Sequence, residues 1–405
     1  MTAKTWRNLG VLFYVLGFIV PFAISKGQGM PVEKYPAITV LWLISWFVGW
    51  YCLYRGFLLK KQYPEGTKQW VKVCTYISDY TPMFLLSAFL TAANFYPTGL
   101  AIGLPKKQMT FVSLSLLVMG MAIPLDEWKR ILKRPIPVFQ LWAVRWICMP
   151  LVALVLALLI YGNLIADSEI ASQLIAAQVL IGTTATGGAS NVYTFLVAGD
   201  APLSVLTTAL STISSPLIQP SAANLLIGTL VDVPVAQMMI DLIKSVIVPL
   251  LIGVGISTAF LKNKVKDYGP AFSAVSVIVM FPLFLGAFSG GWSALLANLY
   301  IVPVLLLAHV LHAGIGCTIG YYAPEKIFKF NEAQKRAGLF EIAIENVSIT
   351  SALAFKYFGP LAATAAALYG FTQTMIVLFV IRQLKAKDAK AANQLGNQPP
   401  ENISA

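Results

Sequence analysis

The 405-residue chain is 58% hydrophobic and only 11% charged, with a formal net charge of +12. A soluble globular domain carries about a quarter of charged residues, so this composition excludes one. Cys52, Cys74, Cys148 and Cys317 are too scattered to suggest a disulfide framework or a metal cluster.

Apolar runs of about 20 residues, enough to cross the hydrocarbon core, recur from end to end. They predict helices over roughly 9–26, 38–59, 80–102, 109–127, 138–162, 172–199, 203–228, 235–261, 268–290, 296–323, 335–357 and 359–384. The first run lacks a small-x-small cleavage site and is broken by Pro21, so it reads as a retained helix rather than a signal peptide. Basic residues gather in alternate connections: Lys60, Lys61, Lys68 and Lys72; Lys129, Arg130, Lys133 and Arg134; Lys262, Lys264 and Lys266; Lys326, Lys329, Lys335 and Arg336; and Arg382, Lys385 and Lys387. Asp167, Glu169 and Asp232 mark the other side, with Lys106 and Lys107 as a local exception. The positive-inside rule then places both termini in the cytoplasm, in a plasma (inner) membrane, and explains the basic balance without nucleic acid.

Residues 1–78 hold two helices and a basic linker, Lys60 to Lys72, suited to packing or assembly, with a homodimer through these helices as one outcome. Residues 79–230 and 231–387 each hold five spans that enter the membrane from opposite sides, and 388–405 read as a polar, disordered tail. Internal likeness supports the halves. Met149-Pro150-Leu151-Val152 resembles Val302-Pro303-Val304-Leu305, and Asn191-Val192 before Ala201-Pro202-Leu203 echoes Asn346-Val347 before Gly359-Pro360-Leu361. Inverted repeats with a broken helix at matching positions point to a secondary transporter.

The breaks are expected at Gly182-Thr183-Thr184-Ala185-Thr186-Gly187-Gly188-Ala189-Ser190-Asn191 and at Glu341-Ile342-Ala343-Ile344-Glu345-Asn346-Val347-Ser348. Small residues alone fit a tight helix contact. They do not explain Asn191, Glu341, Glu345 and Asn346, because ionisable and strongly polar groups at membrane depth are costly without a function.

Leu117-Val118-Met119-Gly120-Met121, Gly187 through Val192, Ser204, Thr208, Ser215-Pro216-Leu217 and Glu341 through Asn346 resemble the bile acid:sodium symporter family, over about Tyr80 to Arg382. The resemblance implies ten helices. The first two of each half form a panel and the last three a core, whose broken helices cross at the centre. The two N-terminal helices are a departure. The resemblance further implies one sodium site at Ser190, Asn191, Ser204, Thr208 and Glu341. Independently, Ser204 and Thr208 stand one turn apart and face one way, and Glu341 can supply a full charge. The competing reading is a set of hydroxyls bonded to their own helix carbonyls.

In the second sodium site of the family, the resemblance implies Glu341 again, carbonyls near Ile342 and Ile344, and amides at the positions of Glu345 and Arg145. Here a carboxylate and a guanidinium replace the amides, so an Arg145–Glu345 pair would fill the place of a mobile ion. The alternative is that Arg145 snorkels to the interface. The helix starts after Asn191 and Asn346 suit an anion, so Gly188, Ala189, Asn191, Asn346, Val347 and Ser348 are the candidate substrate contacts. His309 and His312 read as packing histidines bonded to carbonyls, and Lys356 as a snorkelling residue.

The chain is therefore expected to be an all-α polytopic membrane protein, not an enzyme. It would import a small organic anion with sodium by alternating access. Proton coupling through Glu345 or Glu341, or an uncoupled channel or receptor, are the alternatives.

Overall fold

The computed structural model describes residues 2–28, 36–61, 63–122, 135–261, 264–265 and 267–396. The expected basic residues Lys129, Arg130, Lys133, Arg134, Lys262 and Lys266 lie outside these, as does the end of the fourth expected span. The architecture is helical. Helices α1 (Ala3–Gln28) and α2 (Pro36–Lys60) form a hairpin, followed by α3 (Gln69–Asp79). The first half comprises α4 (Thr81–Ala101), α5 (Gln108–Ala122), α6 (Pro135–Leu156, extended by a π turn to Leu164), α7 (Ser168–Gly182), α8 (Ala189–Leu196) and α9 (Ala201–Ile227). The second comprises α10 (Val235–Leu242, running through π turns to Leu261), α11 (Gly269–Ala297), α12 (Ile301–Phe328), α13 (Glu332–Ala343), α14 (Val347–Phe358) and α15 (Pro360–Gly396). Among the described residues, seven helices are long and apolar enough to cross a membrane.

The helices sort into two groups. In the panel, α4 packs on α11, and α5 on both α10 and α11. Two glycines explain the close approach of α5 and α10: a Cβ on Gly120 would lie 2.2 Å from Leu250 O, and one on Gly253 would lie 2.1 Å from Leu117 O. Lipid supplies no hydrophobic drive between helices, so backbone contact of this kind carries the association. In the core, α6 packs on α7, α9 and α12, while α12 packs on α13 and α14 on α15.

The named polar contacts between panel and core gather where α14 ends and α15 begins, here called the Gly359 end. Ser351 Oγ donates to Gln108 Oε1 (3.2 Å), and Thr364 Oγ1 donates to Ala287 O (2.9 Å). Lys356 and the Tyr357 hydroxyl of α14 both bond Asp241 of α10. Lys356 thus stays exposed near its helix end, as a snorkelling residue does, but it also has a specific partner.

The N-terminal hairpin is held by small-residue contacts, with Gly10 against Leu53 and Gly17 against Ser45. It joins the panel through the Tyr14 hydroxyl on Ser87 and through Trp46 against Phe281. Three expectations need correction. Helix α1 runs through Pro21. The linker from Lys60 to Lys72 contains the start of α3, whose Tyr76 hydroxyl donates to Trp50 O (3.0 Å) and ties it to the hairpin. Helix α15 continues through the expected disordered segment as far as Gly396, because its Ala- and Lys-rich sequence extends a helix already nucleated.

Candidate functional site

Both interrupted helices break where the chain must pass itself. Helix α7 stops after Gly182, whose missing Cβ makes room for Ala153 and Met149 O, at 2.4 and 2.5 Å from an added Cβ. Helix α13 stops at Ala343 and Ile344 turns extended. The two connectors then bond to each other: Gly187 N donates to Ile344 O (3.0 Å), Asn346 N donates to Ala185 O (2.9 Å), and Thr186 pairs antiparallel with Glu345. A Cβ on Gly187 would lie 2.7 Å from Glu345 O, so glycine is what permits this crossing. Gln373 of α15 holds the connector from behind. It accepts from Glu345 N (3.0 Å) and donates to Glu345 O (3.2 Å).

On one side of the crossing, Glu341 is fully buried and meets only neutral donors. Ser190 and Ser204 donate to Glu341 Oε1 at 2.6 and 2.5 Å, and Thr208 lies 2.9 and 3.0 Å from the two carboxylate oxygens. Asn191 Oδ1 completes the cluster, 2.8 Å from Ser204 Oγ and 3.3 Å from Thr208 Oγ1. All five expected residues converge through their side chains, rather than turning back on their own helices as Thr207 does with Leu203 O. A carboxylate, an amide carbonyl and three hydroxyls make a hard oxygen set of the kind that suits alkali and alkaline-earth cations.

On the other side lies Arg145, also buried. Its Nη1 donates to Glu341 O (3.0 Å) and Ile342 O (3.1 Å), and its Nη2 donates to Thr184 O (2.7 Å) and to the Glu345 carboxylate. Arg145 does not snorkel. A five-donor planar group fits three carbonyls and a carboxylate better than a lysine would.

Residues 109–298 match the Sodium Bile acid symporter family. Over that stretch the chain is similar to this family. It is 28% identical over 285 residues to the uncharacterized sodium-dependent transporter YocS of Bacillus subtilis (strain 168), across 69% of this chain and 84% of that one. It is 27% identical over 265 residues to the probable sodium/metabolite cotransporter BASS1, chloroplastic, of Arabidopsis thaliana, across 65% and 63% of the two chains. The probable sodium/metabolite cotransporter BASS2, chloroplastic, of Oryza sativa subsp. japonica is 24% identical over 314 residues, across 76% and 71%. With seven helices long and apolar enough to cross a membrane among the described residues, and with this similarity, the chain is an integral multi-pass membrane protein.

The six candidate substrate contacts do not behave alike. Gly188 and Ala189 at the start of α8 are exposed, Asn191 is half-buried, and Val192 and Phe195 continue an open face along α8. Met119 of the panel lies opposite Gly188, 3.7 Å from where a Cβ would be. At α14, Asn346 is half-buried and caps its own helix by accepting from Ile349 N (3.4 Å), while Val347 and Ser348 are buried. Exposure thus runs along α8 as far as Gly188 and is lost at Val347 and Ser348 of α14.

Sequence reasoning missed several neighbours of the Arg145–Glu345 pair. His312 Nε2 lies 3.5 Å from Glu345 Oε1, and its Nδ1 lies 2.9 Å from Gln178 Nε2. Tyr161 donates to Gln178 Oε1 at 3.4 Å. The expectation that both histidines bond carbonyls is corrected here. His312 bonds two side chains because the connector places Glu345 against α12, and His309 has no hydrogen-bond partner among the described residues while packing edge-on to Tyr369. A lone Gln in an apolar run, like Gln178, carries no signal of its own in sequence.

Proposed function

We propose that this protein is a sodium-coupled importer of an organic anion, working by alternating access. In this reading one sodium ion is held by Ser190, Asn191, Ser204, Thr208 and Glu341, and the second family position is filled by Arg145. The observation that carries it is the charge count at the crossing. Glu341 and Glu345 are buried carboxylates and Arg145 is one buried guanidinium, so with neutral histidines the centre is one positive charge short. An uncompensated charge in a low-dielectric interior is costly. The shortfall falls on Glu341, whose partners are neutral oxygens that can turn their lone pairs towards a cation.

The relatives are named sodium-dependent transporters or sodium/metabolite cotransporters. Those names support a transporter and disfavour an enzyme. The exposed start of α8 at Gly188 and Ala189, next to Asn191, supports an anionic solute. The distribution of lysine and arginine supports cytoplasmic termini.

The test is uptake into proteoliposomes of a panel of labelled small carboxylates under an imposed sodium gradient. At least one should accumulate only with inward sodium, with a Hill coefficient for sodium near one, roughly what a single coupled site gives. Accumulation that follows a proton gradient and ignores sodium would overturn the reading, as would equilibration that no ion gradient drives.

A further inference from the structure

If the centre needs one cation for neutrality, something must supply it after sodium has left. The buried residues around Glu345 contain a group built to do so. His312 is fully buried with a possible hydrogen-bond partner at each ring nitrogen. As drawn, Gln178 Nε2 donates to Nδ1, which leaves the ring hydrogen on Nε2, facing the Glu345 carboxylate. Exchanging the amide nitrogen and oxygen of Gln178, which moves no heavy atom, turns the same array over. Oε1 then accepts from a protonated Nδ1, and the amide nitrogen donates to the Tyr161 hydroxyl. The array Tyr161–Gln178–His312–Glu345 therefore has a complete hydrogen-bonded arrangement for the neutral ring and another for the imidazolium.

We infer that in the sodium-free protein His312 carries a proton, and that sodium binding at Glu341 expels it. This rests on the single-sodium reading above. The exchange balances: one sodium ion enters, the Nδ1–H bond breaks with its electron pair left on nitrogen, and one proton passes to water. The centre stays neutral in both states, with Glu341 and Glu345 matched first by Arg145 and the imidazolium, then by Arg145 and sodium. A carrier of this design returns a proton for each sodium it brings in.

The titratable groups facing His312 are Glu345 on the α13–α14 connector, Arg145 of α6 through that carboxylate, Tyr161 of α6 through Gln178, and Tyr369 of α15 edge-on at 5.3 Å between ring centres. His309 and Cys317 lie along its own helix, and His309 shares the face of Tyr369. His309 is not the carrier of the charge, because an imidazolium there would bury N–H donors that have no acceptor among the described residues.

The experiment uses the purified full chain in weakly buffered detergent solution, with a pH dye and sodium chloride added against a choline chloride control. Wild type should release close to one proton for each sodium bound. Its apparent sodium affinity should fall by up to about tenfold for each pH unit lowered while His312 is charged. His312→Gln should keep sodium-induced stabilisation while losing the proton release and the pH dependence. Because that variant could fold poorly, wild type labelled with nitrogen-15 histidine supplies a second measurement. The chain has only two histidines, and one should change from imidazolium to neutral imidazole when sodium is added.

Sodium binding without proton release would overturn the inference, as would full release from His312→Gln or histidine signals that ignore sodium. A wild type that sodium does not stabilise at all would instead sink the single-sodium reading on which this rests.

Discussion

Glu341 and Glu345 stand four residues apart, both buried, on either side of one helix crossing, and their surroundings are opposite. Glu341 is ringed by hydroxyls that are neutral and can reorient. Glu345 is bound to a guanidinium whose other Nη hydrogens go to backbone carbonyls, while its Nε–H has no partner among the described residues. The first arrangement leaves a charge that a mobile ion can answer, and the second answers it permanently. What separates the proposed ion site from a structural pair here is one residue, Arg145, projected from a different helix.

The largest effect that could break this comparison is at Glu341. Glu341→Ala should abolish both sodium-induced thermal stabilisation and sodium-driven uptake while the protein still reaches the membrane. A variant that binds sodium normally would show that the hydroxyl ring is not the ion site. Next comes Arg145→Gln, which leaves Glu345 buried without its cation and should cost around 3–5 kcal/mol of stability. Adding Glu345→Gln should recover much of this, and in uptake should raise the Hill coefficient for sodium above that of wild type. A double variant no better than the single one, compared by a double-mutant cycle in chemical denaturation, would show that the two residues do not act as a pair.

A smaller effect tests the crossing that both carboxylates share. Gly187→Ala pushes a methyl group against Glu345 O and should cost about 1–3 kcal/mol in thermal unfolding. An unchanged melting temperature would mean that the two connectors are free to separate. The smallest concerns the Lys356–Asp241 pair at the panel–core boundary, where the lysine side chain is 42% exposed. Lys356→Ala should change stability by no more than about 1 kcal/mol. A loss comparable with that of Arg145→Gln would show that burial is not what makes the inner pair strong.

Much of this was legible in sequence. Asn191 and Glu341 stood out as costly polar groups inside apolar runs, the family resemblance added Ser190, Ser204 and Thr208, and the structure brings the other four side chains around the Glu341 carboxylate. Arg145 and Glu345 were visible as a matched departure from a family pattern. Their ring of neighbours was not. Gln178, Tyr161 and Gln373 are single polar residues on three different helices, so only the folded chain makes them a network. His312 was read as a packing histidine because its carboxylate partner comes from a connector 33 residues away. Helix α3 escaped notice because a search for membrane-length apolar runs passes over a short amphipathic helix, and Asp241 because its lysine lies 115 residues further along the chain.

The closed boundary at the Gly359 end and the open face of α8 have an electrical consequence. In the proposed alternating-access cycle, a solution path along the exposed Gly188, Ala189 and Val192 would make the membrane potential drop mainly between the crossing and the Gly359 end. An elementary charge crossing the whole field gains about 2.3 kcal/mol per 100 mV. A cation that moves between Glu341 and the open side traverses little of that field. On that proposal, the voltage dependence belongs to the step that reseals α8 and opens the Gly359 end, and very little of it to ion binding itself.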